Sequence, residues 1–523
     1  MRTPESRKIL LSRKWLIALT VVALGLLTFL AALFQAASSL SRDYVVEALS
    51  EKYQSDVELG ELNLSLLPSI RATGHRLSFR HKGRTDVPPL IEIQEFRVQA
   101  GIIGLLRSTK RVSKVELIGM KINVPPRGED KAESEEPKKK ESGGIKTRFV
   151  IEEIVADGTA LHILPKDAWK EPLVFDIKRL TLTSVGIDRP MEFRAGLTNA
   201  KPPGDIESTG EFGPWVADDP GLTPVSGKYT FENANLGVFK GIGGTLSSVG
   251  KYKGALARIE VEGTTDTPDF VVDTAGNPVH LKTSFHAIVD GTNGDTKLQP
   301  VNAEFLKTSV VARGGVEGKA GQKGKTVALD VQVSKGRIED LLELAVKSDE
   351  PVLTGAIRFT TAFELPPGDQ AVMDKLKLKG RFGVEAAEFS SSKVQEKIDE
   401  LSNRAQGEPE RGSTGEVESD LKGNFTLANG VITLSGLSFS IPGAAVHLNG
   451  TYGLRSEEMN FRGTVRMQAK VSETTTGVKS FFLKLADPFF KKKGAGAVIP
   501  IKIGGTRKNP SFGLDAGRVI GGK

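Results

Sequence analysis

Between Leu421 and Leu448 apolar and polar residues alternate almost without a break. Phe425 and Leu427 stand against Asn424 and Thr426. Leu437, Phe439 and Ile441 stand against Ser438 and Ser440, and Val446 and Leu448 against His447 and Asn449. A period of two sends the two sets to opposite sides of a strand, so the stretch predicts strands with one apolar and one wet side. Shorter runs of the same kind fill most of the chain: "IEIQEFRVQA", "VSKVELIGMKINV" and "ALHIL" early, "TGAIRFTTAFEL", "LKGRFGVEA" and "FRGTVRMQA" later, each bounded by Gly, Pro or Asn. Near the C-terminus Ile499, Ile501 and Ile503 supply a further apolar side, and the "GGTRKNP" after them reads as a turn, since no helix follows to present N–H groups to a phosphate. No fixed repeat emerges, which excludes a propeller and a strict solenoid. The predicted fold class is mainly β.

Helical spacing is confined to a few segments. "SRDYVVEALSEKYQ" from Ser41 places Val45, Val46 and Leu49 on one side, and "GRIEDLLELAVK" is a second short helix. "SSSKVQEKIDELSNRAQG" carries Ser392 and Gln395 as a capping box, a stripe of Val394, Ile398, Leu401 and Ala405, and Gly407 as its stop. In "TTGVKSFFLKLADPFFKKKG", Val478, Phe481, Phe482 and Leu485 share a face that ends at Pro488. Two roles fit it together: capping the sheet, and lying at a membrane interface with Phe489 and Phe490 among acyl chains and Lys491, Lys492 and Lys493 near anionic headgroups.

Charge sharpens the picture. Residues 1–14 carry five Arg/Lys against one Glu (+4), residues 476–523 ten against two Asp (+8), and the net charge of +7 leaves the long middle at −5. A nucleic-acid binder shows basic residues mixed with aromatics on a folded face, so basic ends on a mildly acidic body argue for anionic surfaces rather than nucleic acid. From Trp15 to Phe34 no residue is charged, long enough to cross a hydrocarbon core of about 30 Å. Arg7, Lys8, Arg13 and Lys14 precede it, which predicts a cytoplasmic N-terminus and translocation of everything after residue 40. The rival reading is a signal peptide cleaved near "QAASS"; the length of the apolar run favours an anchor. Residues 125–147 hold blocks of both charges and almost nothing apolar, a solvated linker.

Candidate chemistry is sparse. With no cysteine there is no disulfide, thiolate ligand or cysteine nucleophile. His280 and His286 share a strand side but stand about 20 Å apart, too far to ligate one ion. "DGTNGDT" from Asp290 fails as an EF-hand loop, having Asp295 at its sixth position and Val301 at its twelfth. Neither a nucleophile elbow nor a Walker loop or dinucleotide fingerprint appears in its required context, so the expectation is no enzyme, no cofactor and no metal.

The stretches "VVEALSEKYQSDVELGELNLSLLPSIRATGHRLSFR" and "IIGLLRSTKRVSKVELIGMKINV", with the closing "DPFFKKKGAGAVIPIKIGGTRKNPSFGLD", resemble the two ends of the AsmA family of bacterial envelope proteins. The shared features are the Leu67–Pro68 step, the strand from Val115 to Gly119, the "P-I-K-I-x-G-T" strand and the "N-P-x-F" after it. The resemblance implies an N-terminal transmembrane helix followed by a long, twisted, mostly antiparallel sheet curled into an open apolar groove, related to chorein-type bridge-like lipid-transfer proteins. It divides the chain into a basic tail (1–14), a transmembrane helix (15–37), an N-terminal β region (38–124), the linker (125–147), a central β-groove region (148–364) and a C-terminal β region (365–523) with the amphipathic helix at 476–490. Residues expected in the groove are Phe425, Leu427, Leu434, Leu437, Phe439, Ile441, Val446, Leu448, Ile499, Ile501 and Ile503, with Phe481, Phe482, Leu485 and the 489–493 segment at a membrane and Arg7, Lys8, Arg13, Lys14 and Trp15 setting topology. The implied role is a bacterial inner-membrane protein, single-pass with its bulk in the periplasm, that shields phospholipid acyl chains and supports outer-membrane biogenesis. Its partners are then membranes, phospholipids and other envelope proteins. The alternative is a non-transporting envelope scaffold or an assembly factor for outer-membrane proteins.

Overall fold

The computed structural model describes residues 42–124, 148–318, 324–406, 419–467 and 498–515, apart from short stretches within these ranges. Twenty-five strands among them belong to one sheet, and the chain divides into two compact units. The first comprises residues 1–238, 246–264 and 288–295; the second comprises 239–245, 265–287 and 296–523. The fold is mainly β with few helices, as the period-two pattern predicts.

In the first unit α1 (Arg42–Tyr53) leads into β1 (Ser55–Glu58) and β2 (Leu62–Ser65), which pair in turn with the two ends of β3 (Ile70–His81). There follow β4 (Ile91–Ala100), α2 (Ile102–Leu106), β5 (Thr109–Val124), β6 (Arg148–Ile163), β7 (Leu173–Val185), β8 (Met191–Ala200), β9 (Pro203–Phe212) and β10 (Pro224–Asn235), each strand beside the one before it. These neighbours are antiparallel except β5 and β6, which run parallel from Thr109 beside Arg148 to Val124 beside Ile163. The apolar sides of β1–β8 close into one core in which Phe96, Ile91, Leu117, Val112, Val115, Ile151 and Val185 are fully buried, with Leu49 of α1 inserted among them. Phe96 takes the volume that glycine leaves at Gly74, where a Cβ would collide with the ring. Arg42 Nε donates to Leu59 O at 2.6 Å and ties α1 to the turn after β1.

Further along this unit the apolar side acquires hydroxyls. On β9, β10 and β12 (Thr245–Ala255), which follows the short β11 (Ile242–Gly243), Ser208 Oγ lies 2.7 Å from Tyr252 Oη and Tyr229 Oη 3.1 Å from Ser248 Oγ. The two rings lie over Gly227 and Gly250, and burial pushes both phenols above the usual tyrosine value. β13 (Arg258–Val272) and β14 (Val279–Val289) contribute residues to both units.

The second unit continues with β15 (Thr296–Phe305), β16 (Thr308–Gly318), β17 (Lys325–Arg337), α3 (Ile338–Ala345), β18 (Leu353–Leu365), α4 (Val372–Lys375), β19 (Lys377–Phe389), α5 (Ser392–Gln406), β20 (Ser419–Ala428), β21 (Val431–Ile441), β22 (Ala444–Gly453), β23 (Met459–Met467), β24 (Val498–Gly505) and β25 (Pro510–Leu514). From β15 to β25 every strand pairs antiparallel with the next. Turn chemistry sets part of this register. Asn429 and Gly430, both at positive φ, form the two-residue loop between β20 and β21, as a type I′ hairpin requires. Pro442 and Gly443 (φ +80) close the next hairpin with the residue order of a type II turn.

α3 is anchored by a buried carboxylate. Asp340 Oδ2 accepts from Lys307 N at 2.9 Å and Thr308 Oγ1 at 2.7 Å, while Thr308 Oγ1 accepts from Arg337 N at 2.9 Å. Asp340→Ala strands these donors in the interior, and we expect it to cost about 2–3 kcal/mol, read as a lower urea midpoint. An unchanged midpoint would mean that water replaces the carboxylate without penalty.

The single-pass inner-membrane placement is corrected. Among the described residues no helix is long and apolar enough to cross a membrane. The longer ones, α1 and α5, have 12 and 15 residues, about 18 and 23 Å against a core of about 30 Å. The segment 15–37 and the topology residues Arg7, Lys8, Arg13, Lys14 and Trp15 lie outside the described residues, as do the linker 125–147 and the interface candidates Phe481, Phe482, Leu485, Phe489, Phe490 and Lys491–Lys493.

Candidate functional site

Residues directly opposite one another in an antiparallel pair project to the same side of a sheet, so the register of β18–β24 assembles the apolar residues into cross-strand rows. One row runs Ile357, Val384, Leu421, Phe439, Val446, Val465, Ile499. Beside it run Phe359, Phe382, Gly423, Leu437, Leu448, Gly463, Ile501, and then Thr361, Gly380, Phe425, Leu434, Gly450, Phe461, Ile503. Ten of the eleven residues expected to line a groove thus stand on one side in adjoining rows, with Leu427 opposite Ile432 in a fourth; the eleventh, Ile441, pairs with Ala444 at the hairpin end.

Glycines set the texture of this face. A Cβ at Gly380 would meet the Phe425 ring, and one at Gly450 would meet Phe461, so each large ring lies across a gap on the neighbouring strand. Phe382 and Phe425 approach at 6.3 Å between centroids in a tilted arrangement. The bulk is spread along the face instead of standing out from it.

Burial divides the candidates. Leu427, Ile441, Val446 and Leu448 are buried, at 5–8 % exposure, whereas Phe425, Leu434, Leu437, Phe439, Ile499, Ile501 and Ile503 are only half-buried. The helices account for part of the difference. α5 places Ile398 and Ala405 against Ile441 and Ala444, with Leu401 beside Phe439, and α3 places Ile338 and Leu341 beside Ile357 and Val384. Ile441 is therefore core beneath α5 and does not line an open surface. The side of α5 turned inward is itself largely polar: Gln395, Asp399, Ser402 and Asn403 are buried. Gln395 accepts from Phe389 N at 3.2 Å and donates to Asp399 at 3.1 Å, and Ser402 donates to Pro442 O at 2.9 Å.

Several residues of the face carry no mark in the prediction. Phe359, Phe382, Phe461 and Val465 belong to it by register. The signal was present in "GRF" and "FRG", where a glycine and a phenylalanine two residues apart share a side.

The opposite side of the same strands is polar. An open concavity of about 600 Å³ lies there, lined by residues of β16–β21. All of its lining residues but Val331, Thr361, Gly380 and Phe425 belong to rows on the polar side. The hollow is thus on the wet side of these strands, whereas the groove expected from the resemblance was to be apolar. Elsewhere in this unit His280 Nε2 sits 2.5 Å from Asp266 Oδ1 on the surface. Among the described residues no three His, Cys, Asp or Glu gather in a way that would hold a metal ion.

Comparison with protein-family models, with curated proteins and with solved structures finds no match to this chain.

Proposed function

We propose that the second unit holds phospholipid acyl chains against the apolar side of β18–β24, shielding them from water, and that the protein thereby supports lipid supply to an outer membrane, as its resemblance to the AsmA family suggests. The observation that carries this reading is the half-burial of seven large apolar side chains in contiguous rows, where a closed core would bury them. The seven strands extend about 29 Å across the ladder at about 4.8 Å per spacing. Full burial of a methylene is worth about 0.8 kcal/mol, so exposing two chains of about sixteen carbons costs on the order of 20 kcal/mol. A one-sided apolar face recovers roughly half of that per methylene in contact, enough to retain a chain and little enough to let it slide.

A second reading, a scaffold that moves no lipid, is favoured by the first unit alone, where the same kind of apolar side closes into a core around Phe96. Native mass spectrometry after incubation with phosphatidylethanolamine vesicles separates the two. The acyl-chain reading expects protein carrying one or more phospholipids, released by competition with a long-chain fatty acid. Lipid-free protein at every vesicle concentration would leave the scaffold.

A further inference from the structure

The polar concavity on β16–β21 is lined by three cations, Arg313 and the adjacent pair Lys379 and Arg381. Lys379 and Arg381 project to the same side of β19, about 7 Å apart along the strand. Among the described residues neither has an ion-pair or hydrogen-bond partner for its side chain. Their neighbours on the same side are paired: Lys377 Nζ with Glu364 at 3.1 Å, and Arg358 with Glu385 at 2.9 Å. The carboxylate lining the hollow is Asp330, which stands across from Arg313 and is separated from Lys379 by β18, about 10 Å away.

The residue between them on β18 is Ala362, which leaves room over the floor, and Thr360, Asn424 and Thr426 surround the Lys379 and Arg381 pair with hydroxyl and amide donors. A forked guanidinium beside an ammonium, ringed by neutral donors, suits an anion with several oxygens and more than one negative charge.

We propose that this concavity is a binding site for a phosphate group, held by Arg381 and Lys379 and oriented by Thr360 and Asn424. It is independent of the acyl-chain face. A lipid whose chains lie on the apolar side cannot reach it with its own headgroup, because the sheet stands between, so the phosphate comes from a second molecule. Two sources share this chemistry: a soluble phosphomonoester, or a headgroup on a membrane surface.

The test is calorimetric titration of the whole protein at low ionic strength with inorganic phosphate and with glycerol 3-phosphate, alongside sedimentation with phosphatidylcholine vesicles with and without phosphatidic acid. We expect saturable phosphate binding that falls at least tenfold in Arg381→Gln and in Lys379→Gln. Arg462→Gln, four strands away on the same side, should leave it unchanged. All three positions are exposed, so thermal midpoints should stay at that of the parent protein. Vesicle binding that depends on Arg381 and is displaced by free phosphate identifies a headgroup as the source; phosphate binding without vesicle binding identifies a soluble ligand. The site is overturned if phosphate gives no saturable heat, if Arg381→Gln binds as the parent does, or if Arg381→Gln and Arg462→Gln weaken vesicle binding equally, the mark of a diffusely charged face.

Discussion

We expect Leu434→Glu and Ile501→Glu each to weaken saturable binding of a fluorescent phospholipid roughly a hundredfold while the protein stays folded. Both positions lie in adjoining rows of the apolar side of the second unit, and both are half-buried. In the lipid-free protein a carboxylate there keeps part of its hydration, and we expect a stability loss of about 1–2 kcal/mol. Once an acyl chain lies over it, that hydration is stripped with nothing in return. A desolvation penalty of about 3 kcal/mol lowers affinity roughly a hundredfold, and laterally adjacent methylenes lose their contact as well. Val446→Glu serves as contrast: at 5 % exposure the residue is core, and the charge should unfold the unit outright. Titration with the labelled lipid, combined with thermal unfolding, separates the two behaviours. Parent-like lipid affinity in both Leu434→Glu and Ile501→Glu would remove the apolar side of the second unit from the proposal.

Phe96→Ala should be among the costliest single truncations in the molecule, at about 3–5 kcal/mol. Its ring is 1 % exposed, sits over Gly74 and packs within the cluster that joins α1 to β1–β8. The residue directly beneath the ring is Gly74 on a paired strand, which has no side chain to move into the space. Leu434→Ala, a half-buried truncation of comparable chemistry, should cost no more than about 1 kcal/mol. Urea unfolding followed by far-ultraviolet circular dichroism checks both. With two compact units the curves need not be two-state, so the midpoint of each transition is the quantity to compare. Equal losses for the two variants would mean that the apolar sides of the two units are covered to the same degree.

Much of the β architecture is legible in the residues themselves. The alternation of Phe425, Leu427, Leu437 and Phe439 with Asn and Ser fixes which side of each strand is apolar, because one side of a pleat has nowhere else to put them. What covers that side is a long-range property. The stripe of Ile398, Leu401 and Ala405 predicts a helix with an apolar seat, yet Gln395, Asp399 and Ser402 go inward with them, since hydrogen bonds to Phe389 N and Pro442 O exist only after the strands have paired. Register is partly legible. Irregularities between Lys422 and Asn424 and between Leu434 and Leu437 shift the pairing, and each holds a glycine, Gly423 in the first and Gly436 at positive φ in the second, although which partner residue each skips emerges only from the pairing. The phosphate candidates Lys379 and Arg381 are one strand's contribution to a hollow built by six. Their isolation from carboxylates appears only when Glu364 and Glu385 are seen to be committed to other cations.

The parallel pairing of β5 and β6 turns the charged segment between them into a ruler. Since Val124 ends beside Ile163 and Arg148 starts beside Thr109, the chain must travel back the length of a sixteen-residue strand, about 50 Å at about 3.3 Å per step. Residues 125–147 number 23, with a maximum reach of about 80 Å at about 3.5 Å each. The pairing therefore sets a minimum length for this segment: below roughly fifteen residues the return path no longer closes, and β6 would have to give up its place beside β5.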